Sequence, residues 1–220
     1  MLINITFQII VLIFSTTIVQ AQYFESVEKE AERILISLSD GDSLQSSEFS
    51  NLKKLLTKHI EINSSESNLN ISQHSIDSLT NHLKKFESEL KTISTDSAFV
   101  LFNDWYLHFQ NLFYYYSKEK FFSSHRQKIL FFSTSMSCYC TLKMNRIQTA
   151  ELLKFISEKP DKYDYWIIDS YWYNDLQIKY ETLFAPSVIV FDGSNQVLYK
   201  IEYEEKMLTL LSDYLTSLNN

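Results

Sequence analysis

The chain has 220 residues, 45% hydrophobic and 15% aromatic, with 21% charged and a formal net charge of −7. That is enough apolar material for a real core without disulfide staples, and too aromatic and too weakly charged for a disordered chain. Two glycines and two prolines exclude collagen-like and low-complexity classes, the acidic balance argues against nucleic acid as a partner, and two cysteines make neither a disulfide framework nor a four-thiolate zinc site.

Residues 2–19 are mostly apolar, and Met1 to Ala21 carries no charged side chain. Val19-Gln20-Ala21 places small residues at −3 and −1 of a cleavage before Gln22. This predicts a signal peptide over residues 1–21 and an exported protein, periplasmic or extracellular. The stretch lacks the usual Lys or Arg; left uncleaved, it is about as long as a bilayer needs and would anchor the protein, the one case in which a membrane is a partner. Export matters because it places the cysteines in an oxidising compartment.

Residues 22–125 read as a helical region. Phe24, Val27, Ala31, Ile34, Leu35 and Leu38 fall at helical spacing until Asp40-Gly41-Asp42 stops the pattern, and Phe49, Leu52, Leu55, Leu56 and Ile60 form a second stripe. Asn63 to Ser72 is an exposed polar loop, with glycosylation sequons at Asn63 and Asn70. Ile76, Leu79, Leu83, Phe86, Leu90 and Ile93 alternate in steps of three and four, a seam that packs on a partner helix and a candidate surface for homo-oligomers. Ala98 to Tyr116 is apolar around much of its circumference and reads as one central helix, its Phe113-Tyr114-Tyr115-Tyr116 run as core. His59, His74, His82 and His108 are scattered without metal-ligand spacing.

Residues 126–220 have a different texture. Ile129–Phe132 and Tyr165–Ile168 suit buried strands, with a helix over Thr141–Glu158 between them, striped by Leu142, Ile147, Ala150, Leu153 and Ile156. Asn174–Leu183 reads as a short polar helix. Ser187–Phe191 and Val197–Ile201 form a hairpin through Asp192-Gly193-Ser194-Asn195, and Glu204–Leu218 closes the chain as an amphipathic helix. The order β-α-β-α-β-β-α implies parallel strands with a crossover helix, then an antiparallel edge.

That order, with paired cysteines after the first strand and Lys179-Tyr180 followed by Ala185-Pro186-Ser187-Val188-Ile189-Val190-Phe191-Asp192-Gly193, resembles the thioredoxin fold over roughly residues 126–218. The fold class is therefore α/β, a thioredoxin-like domain preceded by an α-helical N-terminal region. The resemblance implies that Pro186 is a cis-proline and that Ala185 presents its backbone to an extended protein substrate beside the reactive sulfur. The family carries Cys-x-x-Cys at the start of the first helix; here Ser137-Cys138-Tyr139-Cys140 stands instead. One register puts Ser137 at the nucleophile and Cys140 at the resolver, and a shift by one residue makes Cys138 the nucleophile. The family's buried acid on the first strand is replaced by Phe131, and its tryptophan before the nucleophile by Met136 or Ser137.

The resemblance implies thiol–disulfide exchange with protein thiols and disulfides, Cys138 attacking, Cys140 resolving, and no cofactor. A helix N-terminus lowers a thiol pKa from near 8.5 to between about 3.5 and 7.5. Residues two apart on a helix do not face each other, so a Cys138–Cys140 disulfide is expected to require the first turn to unwind or to store strain, which favours an oxidant or isomerase over a reductant. Met136, Cys138, Cys140 and Met144 offer soft ligands suited to Cu(I), which gives a second hypothesis, with core packing the expected role of Met144. A third is a binding module without redox activity.

Overall fold

The computed structural model describes residues 24–44, 46–63 and 72–218. The expected signal peptide and Asn70 lie outside the described residues. In chain order the elements are α1 (residues 24–39), a 3-10 turn (Ser46–Glu48), α2 (Phe49–Asn63), α3 (Gln73–Glu89), α4 (Thr95–Leu112), α5 (Tyr114–Ser123), β1 (Lys128–Ser133), α6 (Tyr139–Ser157), β2 (Asp164–Asp169), α7 (Asp175–Tyr180), β3 (Ser187–Phe191), β4 (Val197–Glu202) and α8 (Met207–Ser217).

The four strands form one sheet in the order β2-β1-β3-β4. β1 runs parallel to β2, with Phe131 opposite Ile167, and antiparallel to β3, with Phe131 opposite Val188. β3 and β4 close an antiparallel hairpin. The α6 crossover between parallel neighbours and the antiparallel edge make this a thioredoxin-like α/β fold, as the element order implies.

Period-two alternation divides the sheet's side chains between two apolar layers. Ile129, Phe131, Ile167, Val188 and Val190 join a large core with α1–α4, α6 and α8. Leu130, Phe132, Trp166, Ile168, Ile189 and Phe191 pack on the opposite face against Tyr114 and Phe121 of α5 and Leu176 of α7. The helical region thus shares its core with the sheet. All six predicted stripe residues of α1 are buried. In α3, Ile76, Leu79, Leu83 and Phe86 are buried too, with α2 and α4 as its helical neighbours, so the seam offered for self-association is occupied within the chain.

Two helices differ from expectation. The helix expected over Ala98–Tyr116 breaks at Phe113 (φ −100°, ψ 14°), because α4 serves the first core through Phe109 whereas Tyr114 and Phe121 of α5 serve the second. One straight helix cannot present both faces. In α6 the buried residues of the first half are Thr141, Asn145, Gln148 and Thr149, while Ile147 is exposed and Leu142 half-buried. This end of the helix meets polar groups rather than core: Gln148 donates to the Glu204 carbonyl (2.7 Å), and Thr141 meets the Tyr203 hydroxyl.

Candidate functional site

The site lies where β1 hands over to α6. The connecting loop is held from below by Asp169, wholly buried at the end of β2. Its carboxylate accepts from the backbone N–H of Ser135 (3.0 Å) and Tyr171 (3.1 Å), and from Asn111 Nδ2 (3.2 Å). Ser170 donates its N–H (2.9 Å) and its hydroxyl (2.8 Å) to the Ser133 carbonyl. A buried carboxylate needs such donors, and here they fix the loop that carries the thiols.

Cys138 is the N-cap of α6, with extended backbone (φ −65°, ψ 157°), and helical geometry begins at Tyr139. Its Sγ lies 2.9 Å from Cys140 Sγ and 3.2 Å from Thr141 Oγ1. Both cysteines are free and exposed. Cys138 sits outside the helix, so its extended backbone brings the two free sulfurs side by side with the first turn of α6 intact. The Cys138 pKa falls from the ordinary thiol value to about 6, chiefly through the Cys140 thiol, then the Thr141 hydroxyl. The Thr141 N–H, outside cap hydrogen-bond geometry, adds its dipole.

Thr141 was not anticipated from the sequence. It stands three residues after Cys138, the spacing of the family's second cysteine, and that spacing was the available signal. It is buried, and its hydroxyl also meets Tyr203 Oη at 2.9 Å, extending the network across the sheet end. Tyr203, with left-handed backbone (φ 53°), donates its N–H to the Pro186 carbonyl (2.9 Å). No local sequence signal announces it.

The Ala185–Pro186 bond is cis, as the resemblance implies. Ahead of it, Glu202 accepts the backbone N–H groups of Leu183 and Phe184, fixing the approach to the bond. Ala185 lines an open groove of about 520 Å³ with Met136, Ser137, Thr141, Phe184 and Tyr203. A second groove, about 840 Å³, shares Tyr203 with the first and is lined by Tyr139, Cys140, Met144, Ile147 and Leu210. Met144, expected in the core, is half-buried in that wall because the inward face of α6 here is polar. Phe131 is wholly buried in the first core, and the acid beneath the loop comes from β2 instead.

Among the described residues no three His, Cys, Asp or Glu side chains cluster to hold a metal. A Cu(I) site would rest on the two thiolates and the exposed Met136 thioether. The fold brings two of the scattered histidines together, His82 and His108, with ring centroids 6.1 Å apart. Burial, then the neighbouring His82, lowers the His108 pKa. No described helix is long and apolar enough to cross a membrane.

No protein-family model matches the chain, and no curated protein matches it. Solved structures similar to it include a designed protein, 16% identical, with 47% of this chain covered, 86% of that chain, and a TM-score of 0.37. Another is the germline-specific thioredoxin Deadhead (Thioredoxin-1) of Drosophila melanogaster, 18% identical, with 48% of this chain covered, 92% of that chain, and a TM-score of 0.36.

Proposed function

We propose that this thioredoxin-like protein exchanges disulfides with protein substrates, as an oxidant or isomerase, with Cys138 attacking and Cys140 resolving. The observation that carries the reading is the Cys138 sulfur at the α6 N-cap, bonded to the Thr141 hydroxyl and 2.9 Å from the Cys140 sulfur. With a pKa of about 6, Cys138 is roughly nine-tenths thiolate at pH 7. Its sulfur attacks one sulfur of a substrate disulfide, and the displaced substrate thiolate takes up a proton. The Cys140 thiol gives up its proton and attacks Cys138 Sγ, releasing the second substrate thiol and leaving a Cys138–Cys140 disulfide. In reverse, that disulfide oxidises a substrate dithiol, which the stabilised Cys138 leaving group favours.

The groove lined by Ala185 supports an extended substrate beside the sulfur, with exposed Leu183 and Phe184 offering apolar contact. The uncharged, mostly apolar stretch over residues 2–19 supports an exported setting, where disulfides persist. The test is a metal-free redox titration in glutathione buffers, read by thiol alkylation and mass spectrometry. A reversible two-electron transition between Cys138 and Cys140, with exchange abolished in Cys138→Ser, is expected. Thiols that never pair, or full activity in Cys138→Ser, would overturn the proposal.

A further inference from the structure

The two sulfurs lie together, but the residues around them line different grooves. Thr141, bonded to the Cys138 sulfur, and Ser137 before it line the Ala185 groove, whereas Cys140 lines the second groove. Tyr203 lines both. The second groove is the larger, and its walls are largely apolar: Tyr139, Met144, Ile147 and Leu210, with Tyr139, Ile147 and Leu210 exposed. Its rim carries Glu151, Glu204 and Glu205 against Lys143 and Lys206, an excess of carboxylates.

We infer that the second groove seats an apolar, cysteine-bearing segment of a redox-partner polypeptide, whose thiolate opens the Cys138–Cys140 disulfide at Cys140. This rests on the exchange reading above and adds which sulfur the partner attacks and from which side. The sulfur lining the groove selects an occupant with a thiol. The apolar walls select aliphatic or aromatic neighbours to that thiol, and the acidic rim selects a basic residue beside them. Glutathione, small and acidic, satisfies only the first requirement.

The step balances. The partner thiolate bonds to Cys140 Sγ, the Cys138–Cys140 bond breaks, and its electron pair departs on Cys138 Sγ. There the Cys140 side is lost as a neighbour, but the Thr141 hydroxyl and N–H remain to receive the charge. A second thiol of the partner, giving its proton to water, attacks the partner sulfur of the mixed disulfide and expels Cys140, which takes up a proton. The partner dithiol leaves as a disulfide, and the pair is reduced. Attack at Cys140 from the second groove makes Cys138, with the Thr141 hydroxyl beside it, the leaving group.

The test uses the full protein oxidised to the Cys138–Cys140 disulfide and two reductants, glutathione and the peptide acetyl-Lys-Leu-Cys-Leu-Lys-amide. Mixed disulfides are trapped with acid and mapped by mass spectrometry, and reduction rates are followed by alkylation. The peptide is expected on Cys140, and Ile147→Asn is expected to lower the ratio of peptide rate to glutathione rate roughly tenfold, through the loss of one apolar contact with no change of charge. Leu210→Asn, at another exposed position in the wall, is expected to do the same. Adduct on Cys138, or a ratio unchanged in both variants, would overturn the inference while leaving exchange intact. A disulfide that never forms would overturn the exchange reading itself.

Discussion

Thr141→Val isolates the part of the site that links Cys138 to the rest of the fold. The substitution keeps the side chain's volume and β-branching at a buried position and removes only the hydroxyl 3.2 Å from the Cys138 sulfur. The Cys140 thiol, the larger source of thiolate stabilisation, and the Thr141 N–H both remain. Losing one of several donors to an exposed thiolate should raise the Cys138 pKa from about 6 to about 7. At pH 6 the thiolate fraction then falls from about one-half to about one-tenth, so iodoacetamide alkylation of Cys138 slows about fivefold. At pH 9 both forms are fully ionised and the rates converge. Thiolate absorbance against pH gives the same midpoint independently. A Thr141→Val protein that titrates with the wild type refutes the role given to the hydroxyl. A slowing that persists at pH 9 would point instead to a displaced loop.

Two further predictions concern the frame around the site. On α1, Glu28 and Glu32 face α4 and β2: Gln110 donates to Glu28 (2.8 Å), while Tyr106 (3.3 Å) and Tyr165 donate to Glu32. Burial first, then the Glu28 charge, raises the Glu32 pKa from 4.5 to about 8. The folded state therefore holds a proton that the unfolded state has released, and stability declines as pH rises from about 4.5 through about 8. Glu32→Gln, which keeps a carbonyl for both tyrosines, should stabilise the protein at pH 8 by on the order of 2 kcal/mol and much less at pH 5. Urea unfolding at the two pH values checks this, and equal effects at both would contradict it. At the hairpin, a Cβ on Gly193 would lie 2.3 Å from the His125 carbonyl oxygen, a backbone atom with nowhere to retreat. Gly193→Ala should cost about 2 kcal/mol or more, visible as a lower melting temperature, and a loss below about 0.5 kcal/mol would mean that the approach relaxes freely.

The elements legible in the sequence are those whose partners are uniformly apolar. The stripe of α1 and the seam of α3 each face one core, and β1, β2 and β3 lie between two apolar layers, so the apolar pattern alone places them. Where an element meets two environments, periodicity misleads. Phe113 sits between two cores and the helix bends there, while α6 is apolar inward only beyond Ala150 because its first turns meet Tyr203 and the Glu204 carbonyl. The site follows the same division. Ala185 and Pro186 are legible because their segment resembles a known pattern, and Cys138 and Cys140 because they follow the first strand, although their spacing departs from that pattern. Tyr203 is brought to Thr141 from 62 residues away, and Asn111 reaches Asp169 across 58, contacts that no local pattern encodes.

Those distant contacts tie the helical region to the chemistry. Asn111, near the end of α4, donates to Asp169, which holds the Ser135 N–H of the thiol loop, so one carboxylate joins the helical region to the residues before Cys138. Farther along α6, the Arg146 guanidinium grips both oxygens of Asp104 on α4 (3.1 and 3.3 Å), and Lys154 meets Asp40 beyond the end of α1 (2.7 Å). These pairs are exposed and individually weak. The stronger bond is apolar: α5 and α7 together cover the second face of the sheet, and α1 and α4 share the first core with Phe131 and Ile167. The loop bearing Cys138 is therefore fixed from two sides, by the strands it leaves and by the helices that precede them in the chain. A thiolate at the rim of an open groove can keep a defined position because everything beneath it is packed, and the helical region supplies much of that packing.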